Sequence, residues 1–311
     1  MHASIASAWP SSGSLFLRRS QRSKVSVCAS AKPVIVVSGA SGRTGKLVFK
    51  KLKESDEFQP RGLVRSADGW KVVQKECASA TAGDFIIADI AHDKDGVLRA
   101  MQGAQAAIIL TSAIPKLHIA SLIPVFVDKI LRRSPAKRPK FFYPEGGHPR
   151  IVDYEGAKAQ IDACREAGVS HVILVSSMGG TQKDNMLNTM GEGNILMWKR
   201  KAEKYLIGSG LIYTIIHPGG LLDAPGGERT LLIDVDDKLL ATNNRSVPRD
   251  DVAAVCVACL NHANAKNMSF DLASVANDDK VGTGVNVLLQ GLRAGMTCSY
   301  ANDNALGVEI E

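Results

Sequence analysis

Residues 33–53 read Pro33-Val-Ile-Val-Val-Ser38-Gly39-Ala-Ser-Gly42-Arg-Thr-Gly45-Lys-Leu-Val-Phe-Lys-Lys-Leu-Lys53. Pro33–Ser38 is a β-branched run of strand length. Arg43–Lys53 reads as a helix, with apolar Val48 and Leu52 four apart and lysines on the other side. The alternation continues outward from this stretch. Apolar runs at Arg61–Arg65, Phe85–Ala88, Ala106–Thr111, His171–Val175, Leu211–His217 and Ser269–Leu272 predict strands. Helical spacing predicts helices at about Asp93–Gln102, Ile119–Leu131, Tyr154–Glu166, Trp198–Leu206 and Asp251–Leu260. Repeated strand–helix–strand units with Val/Ile-rich strands imply a parallel sheet covered by helices on both faces.

The turn between the first strand and helix carries chemistry. Its glycines, Gly39-x-x-Gly42-x-x-Gly45, let a backbone turn sharply and approach a pyrophosphate, while the helix start offers free N–H groups and a positive dipole end. Placed after an apolar strand and before a helix, the triplet signals a dinucleotide site. The expected fold is therefore α/β, a single doubly wound Rossmann-like domain over residues 32–275. It carries a loop insertion at 116–150 and a C-terminal tail at 276–311. The second strand bears on which dinucleotide is bound. An NAD site places an acid about 20 positions on, to hold the ribose 2′-hydroxyl. This chain has Gly62-Leu-Val-Arg65 there instead. A guanidinium suits a 2′-phosphate, and Arg43 in the loop is a candidate second clamp, so the expected cofactor is NADP(H).

Composition excludes other classes. The chain has 311 residues, 45% of them hydrophobic and 22% charged, so it can bury a core. No apolar stretch approaches the roughly 20 residues of a membrane span. Of the formal charge of +7, four charges come from Arg18, Arg19, Arg22 and Lys24, in a leader without acids that holds nine serines in thirty residues. Residues 1–31 therefore read as an organelle transit peptide, plastid ahead of mitochondrion, with an attached tail as the plain alternative. The basic run Arg132, Arg133, Lys137, Arg138 and Lys140 reads as a solvated loop ahead of a nucleic-acid patch. Cys256-Val-Ala-Cys259 sits in an apolar helical run and reads as buried small hydrophobes, and the histidine spacings suggest no zinc site.

Gly39-Ala-Ser-Gly-Arg-Thr-Gly45, Gly62-Leu-Val-Arg65 and Asp89-Ile90 resemble the atypical short-chain dehydrogenase/reductases of the NmrA-like, NAD(P)H-binding type. Ser177-Met-Gly-Gly180, Gly193-Asn-Ile-Leu196, Trp198-Lys-Arg-Lys-Ala-Glu203 and Tyr213-Thr-Ile-Ile-His-Pro-Gly-Gly-Leu221 narrow the resemblance to a plant and algal subgroup, of chloroplast and cytosolic members with no settled substrate. It spans about residues 33–274. The resemblance implies that Gly39, Ser41, Gly42, Arg43, Thr44 and Gly45 cradle the cofactor with Arg65. It implies further that Asp89 borders the adenine, with Ile90 beside it also at the cofactor, that Thr111 and Ser112 line the cofactor after the fourth strand, and that Pro218-Gly219 lies by the nicotinamide.

Short-chain reductases use Ser, Tyr and Lys, with the Tyr four residues before the Lys. Here Lys199 matches the lysine and Ser177 the serine, but Ile195 stands where the tyrosine belongs. Tyr154-x-x-x-Lys158 has the spacing on the wrong helix and reads as packing. Lys199 has a plainer reading as a surface partner of Glu203, although Lys before Glu is the poorer order for such a pair. His217 is a candidate donor for the missing proton, with a structural role weighed above it. The expectation is a chloroplast, stromal oxidoreductase moving electrons from NADPH to a small carbonyl, quinone or similar acceptor. The rivals are a non-catalytic NADP(H) sensor or scaffold that binds a protein partner, and an organellar RNA-associated protein.

Overall fold

The computed structural model describes residues 1–2, 31–132, 138–276, 282, 284–293, 296–301 and 303; the side chain of Lys129 is outside the description. The leader at 3–30, Arg133 and Lys137 of the basic run, Cys28 and parts of the tail therefore lie outside the described residues. Contacts divide the chain into two units, Met1–Ala31 and Lys32–Glu311, and every element below belongs to the second.

Strand β1 (Val34–Ser38) leads into α1 (Gly45–Glu54), followed by β2 (Gln59–Val64), α2 (Gly69–Glu76), β3 (Phe85–Ile87), α3 (Lys94–Met101) and β4 (Ala106–Ile109). A two-strand ribbon, β5 (Lys116–Leu117) and β6 (Phe141–Phe142), brackets α4 (Leu122–Ile130). Next come α5 (Gly156–Glu166), β7 (His171–Val175), α6 (Met186–Thr189), α7 (Ile195–Gly208), β8 (Ile212–Pro218), β9 (Gly220–Leu222) and β10 (Arg229–Asp234). The last are β11 (Ser246–Pro248), α8 (Arg249–Asn261), β12 (Met268–Ala276) and α9 (Val285–Gln290).

The sheet runs β3-β2-β1-β4-β7-β8-β12-β11-β9, and β3 through β12 along that order are all parallel. Period-two alternation sorts the core. Ile35 and Val37 of β1 pack with Val48, Phe49 and Leu52 of α1 and Val252, Val255 and Cys256 of α8. Val36 packs on the other face, with Val97 and Met101 of α3, Ile161 and Cys164 of α5 and Leu206 of α7. Cys256 and Cys259 are buried within α8, and burial pushes the Cys256 thiol up to about 12, so both act as small hydrophobes.

The expected strands and helices form, with physical differences at their edges. A π-helical turn at Arg150–Glu155 precedes α5, so the helix read as Tyr154–Glu166 starts with widened backbone. Beyond β8 the sheet is mixed: β10 and β11 pair antiparallel with β12. With three or four residues each, β9, β11 and α6 are too short to impose a period on the sequence. The tail also differs from a bare extension. Its helix α9 packs on α8, and Leu289 and Leu292 are buried in the core.

Candidate functional site

Strand order reverses between β1 and β4, so the loops leaving these neighbours diverge and open a crevice at the carboxyl edge of the sheet. That crevice is a cleft of about 700 Å³. Gly39, Ser41, Gly42, Arg43, Thr44, Gly45, Arg65, Asp89, Ile90, Thr111, Ser112, Ser177, Lys199, Pro218 and Gly219 all line it. Residues spread over 180 positions of sequence thus meet on one wall system, together with Ile195.

The glycines explain the cradle. Gly39 adopts φ +72°, and a Cβ on Gly45 would stand 2.1 Å from the Gly39 carbonyl oxygen. Neither turn tolerates a side chain, and the backbone stays exposed to the cleft. Helix α1 begins at Gly45 with no side-chain cap and no acid in its first turn; the Lys46, Leu47 and Val48 N–H groups donate to the Gly42 and Thr44 carbonyls, so the helix offers an anion its positive dipole end beside the N–H groups of the turn. A dinucleotide pyrophosphate fits this donor set.

At the end of β2, Arg65 is exposed, and no carboxylate pairs with it among the described residues. Arg43 is engaged: its Nη1 lies 3.1 Å from Asp223 Oδ2, an exposed pair worth little. Asp223 also receives Arg249 Nη1 at 2.6 Å. Asp89 accepts from the Ala91 N–H at 2.9 Å and lies 3.1 Å from His92 Nδ1. Burial raises its pKa, but these two partners outweigh burial and hold it below the usual carboxylate range. Thr111 Oγ1 accepts from Gln160 Nε2 at 3.2 Å.

Lys199 has a different partner from the one its sequence suggests. Glu203 turns inward, and the Lys199 ammonium lies 2.8 Å from Oδ1 of Asp153, whose side chain is fully buried. The direction is not that of an ideal hydrogen bond, so the contact is an ion pair. The other Asp153 oxygen accepts from the Ala113 N–H at 3.0 Å. Asp153 sits in the π-helical turn and fixes the lysine at the cleft wall. Tyr143 lines the same cleft; its hydroxyl is buried with no hydrogen-bond partner among the described residues, and burial together with the Asp153 charge raises its pKa. Nothing in the spacing of Tyr143 or Asp153 marks them in the sequence, because both belong to irregular segments. Ser177 Oγ donates to the Met178 carbonyl at 3.0 Å, the strand-end role. Tyr154 stacks near Trp198 with centroids 5.9 Å apart, a packing role.

His217 does not line the cleft. It is buried beside it, with Nε2 3.1 Å from Glu203 and Nδ1 3.4 Å from Asp271 and 3.5 Å from Cys298 Sγ. Burial disfavours its charge, but Glu203, Asp271 and Cys298 outweigh that and hold its pKa well above 6.5. Burial likewise opposes the Glu203 charge, yet His217, Arg200 and Ser176 bring it down to about 2. An imidazolium locked between carboxylates is structural, and the candidate role of His217 as proton donor falls. The tail joins in: Arg200 stacks 3.7 Å over the Tyr300 ring, lies 3.1 Å from Asp303 and donates to the Ser299 carbonyl. This buried network ties α7 to β8, β12 and the tail, which turns the neighbouring Lys199 toward the cleft.

The comparisons agree with this geometry. A family model described as NAD(P)H-binding matches residues 39–263. Sanguinarine reductase of Eschscholzia californica is 45% identical over 254 residues, covering 79% of this chain and 90% of that protein. A chloroplastic protein of Arabidopsis thaliana is 45% identical over 267 residues, covering 84% of this chain and 76% of its own. Among solved structures, the oxidoreductase YlbE from Lactococcus lactis superposes with a TM-score of 0.57 at 19% identity, covering 84% of this chain and 96% of that one. The fold and cleft define a Rossmann-like protein with a dinucleotide-type crevice at the carboxyl edge of a parallel sheet. Within that class, the chain belongs to the NAD(P)H-binding family.

Proposed function

We propose that this protein is a chloroplast NADPH-dependent oxidoreductase whose acceptor is a small carbonyl, a quinone or a similar compound. The observation that carries the cofactor choice is Arg65, an exposed guanidinium with no carboxylate partner among the described residues, at the cleft wall where an NAD site needs an acid. The turn at Gly39–Gly45 and the start of α1 bind the pyrophosphate, and Arg65 binds the 2′-phosphate. Lys199, held by Asp153, binds the nicotinamide ribose, and Pro218 and Gly219 back the ring. When bound, the reduced nicotinamide supplies hydride to the acceptor. Ile195 leaves no phenol at the usual acid position. The Tyr143 hydroxyl, without a hydrogen-bond partner among the described residues, is the donor proposed in its place and, with its raised pKa, stays protonated at neutral pH. The reductase relative supports this reading, and the chloroplastic relative supports a plastid location. The leader serves as the transit peptide.

Stopped-flow recording of NADPH absorbance, with separate quinone and carbonyl panels, tests the proposal. Acceptor-dependent oxidation is expected, faster with quinones because they need less acid help. Tight NADPH binding with no oxidation on any acceptor would replace the enzyme by the cofactor sensor.

A further inference from the structure

Helix α4 and the 3-10 turn before it (Ile119–Ser121) are built inside out. Their polar residues Ser121 and Asp128, seven apart, are buried. Ser121 Oγ donates to the His118 carbonyl at 2.6 Å and accepts from the Lys140 N–H at 2.9 Å, so the polar face is tied inward. The outward face is apolar: Ile119 is 78% exposed, Ile123 68%, Phe126 63% and Ile130 76%, with Val127 and Leu131 beside them. These positions recur at helical spacing and make one stripe. Phe142 and Leu117 of the β5–β6 ribbon and Ile114 before it are also exposed. A water-soluble surface rarely carries such a continuous apolar area without something to cover it.

Charge says what covers it. Between Ala113 and Tyr143 the sequence holds seven basic residues and a single acid, Asp128, which is buried. The rest of the chain from Lys32 onward nets negative. Lys116, Arg132, Arg138 and Lys140 are exposed around the stripe. An apolar helical face with a basic rim and no exposed carboxylate in its segment is complementary to a surface that is apolar within and anionic at its headgroups. A second copy of this face would instead set basic rim against basic rim.

We infer that the α4 face docks this protein on an anionic lipid bilayer, with Ile119, Ile123, Phe126 and Ile130 entering the headgroup–acyl boundary and the basic residues engaging lipid phosphates. The consequence for the cleft is direct, because Ile114, Pro115 and Lys116 at the foot of this surface also line it. An apolar acceptor can then pass from the bilayer to the site without crossing bulk water. The docking itself does not depend on the redox reading.

Flotation of the full chain with phosphatidylcholine vesicles, with and without phosphatidylglycerol, tests the inference. Parent and variants share the leader, so its charge cancels. Binding is expected only with the anionic lipid and should weaken with salt. Phe126→Asp and Ile123→Asp, at exposed positions, should lower partitioning about tenfold or more. Arg138→Gln with Lys140→Gln should cost about fivefold per charge removed. Far-UV circular dichroism of each variant checks that the fold is kept. Equal partitioning of parent and variants overturns the inference. So does a dimer in light scattering that Phe126→Asp dissolves in a protein that does not float.

Discussion

Arg65 and Tyr143 carry opposite kinds of information about the site. Arg65 is a charge held in reserve, so its removal should be felt only by the phosphorylated cofactor. In Arg65→Asp, NADPH binding should weaken by the roughly 1.5–3 kcal/mol of a charge-assisted contact while NADH binding holds or improves. Isothermal titration with both cofactors measures this, and equal losses for the two would refute the clamp. Tyr143 is a buried hydroxyl left without a partner, a cost of about 1–3 kcal/mol that a structural role does not explain. Tyr143→Phe should therefore leave stability unchanged or raised. It should slow carbonyl reduction by roughly 10²-fold while sparing quinones. A uniform loss on both acceptor classes would make the residue a positioning one.

At the scale of elements, α7 decides the geometry of the site through its inward side. Arg200 and Glu203 anchor it in the buried network, and Lys199 is turned out one residue away. The tail completes that anchor with Tyr300 and Asp303 and covers α8 with Leu289 and Leu292. A chain ending at Ala276 should lose the burial of two leucines, about 1.5–3 kcal/mol each, and strip Arg200 of Asp303 while Glu203 stays beside it. Together these consume much of the stability of a typical domain. Thermal melting followed by circular dichroism should show a transition at far lower temperature or none. An unchanged melting temperature would mean that the tail only decorates the fold.

For the whole molecule, two buried histidines set opposite pH limbs. His171 has its pKa lowered to about 4, chiefly by burial and secondarily by Lys266. Between pH 6.5 and 4 the unfolded chain takes up a proton there that the folded one refuses, so stability falls as pH falls, by on the order of 2–3 kcal/mol. His217 is the reverse case. Its raised pKa gives stability that is full below pH 6.5 and is lost as pH rises through the folded value. Glu203 adds a loss on the acid side, from its unfolded pKa near 4.5 down through about 2. Urea unfolding across pH should therefore peak near pH 6.5. His171→Asn should flatten the limb between pH 4 and 6.5 and leave the alkaline limb alone.

The sequence by itself determined the parallel sheet and the glycine turn after β1. β-Branched strands, helical spacing and glycines act over a few residues, where side-chain period and backbone sterics are local properties. It singled out Lys199, Ser177 and the glycines, and their meeting in one cleft follows from the strand order of that fold. Only the tertiary structure decided whom these residues face. Glu203 pairs with His217 and Arg200 instead of Lys199, and Asp153 takes the lysine from an irregular turn. The tail becomes part of the core, and α4 shows its apolar side to the outside. Partner choice among buried charges depends on burial and on distances across the fold. The direction a helix faces depends on what lies beneath it, and neither is written in the spacing of one segment.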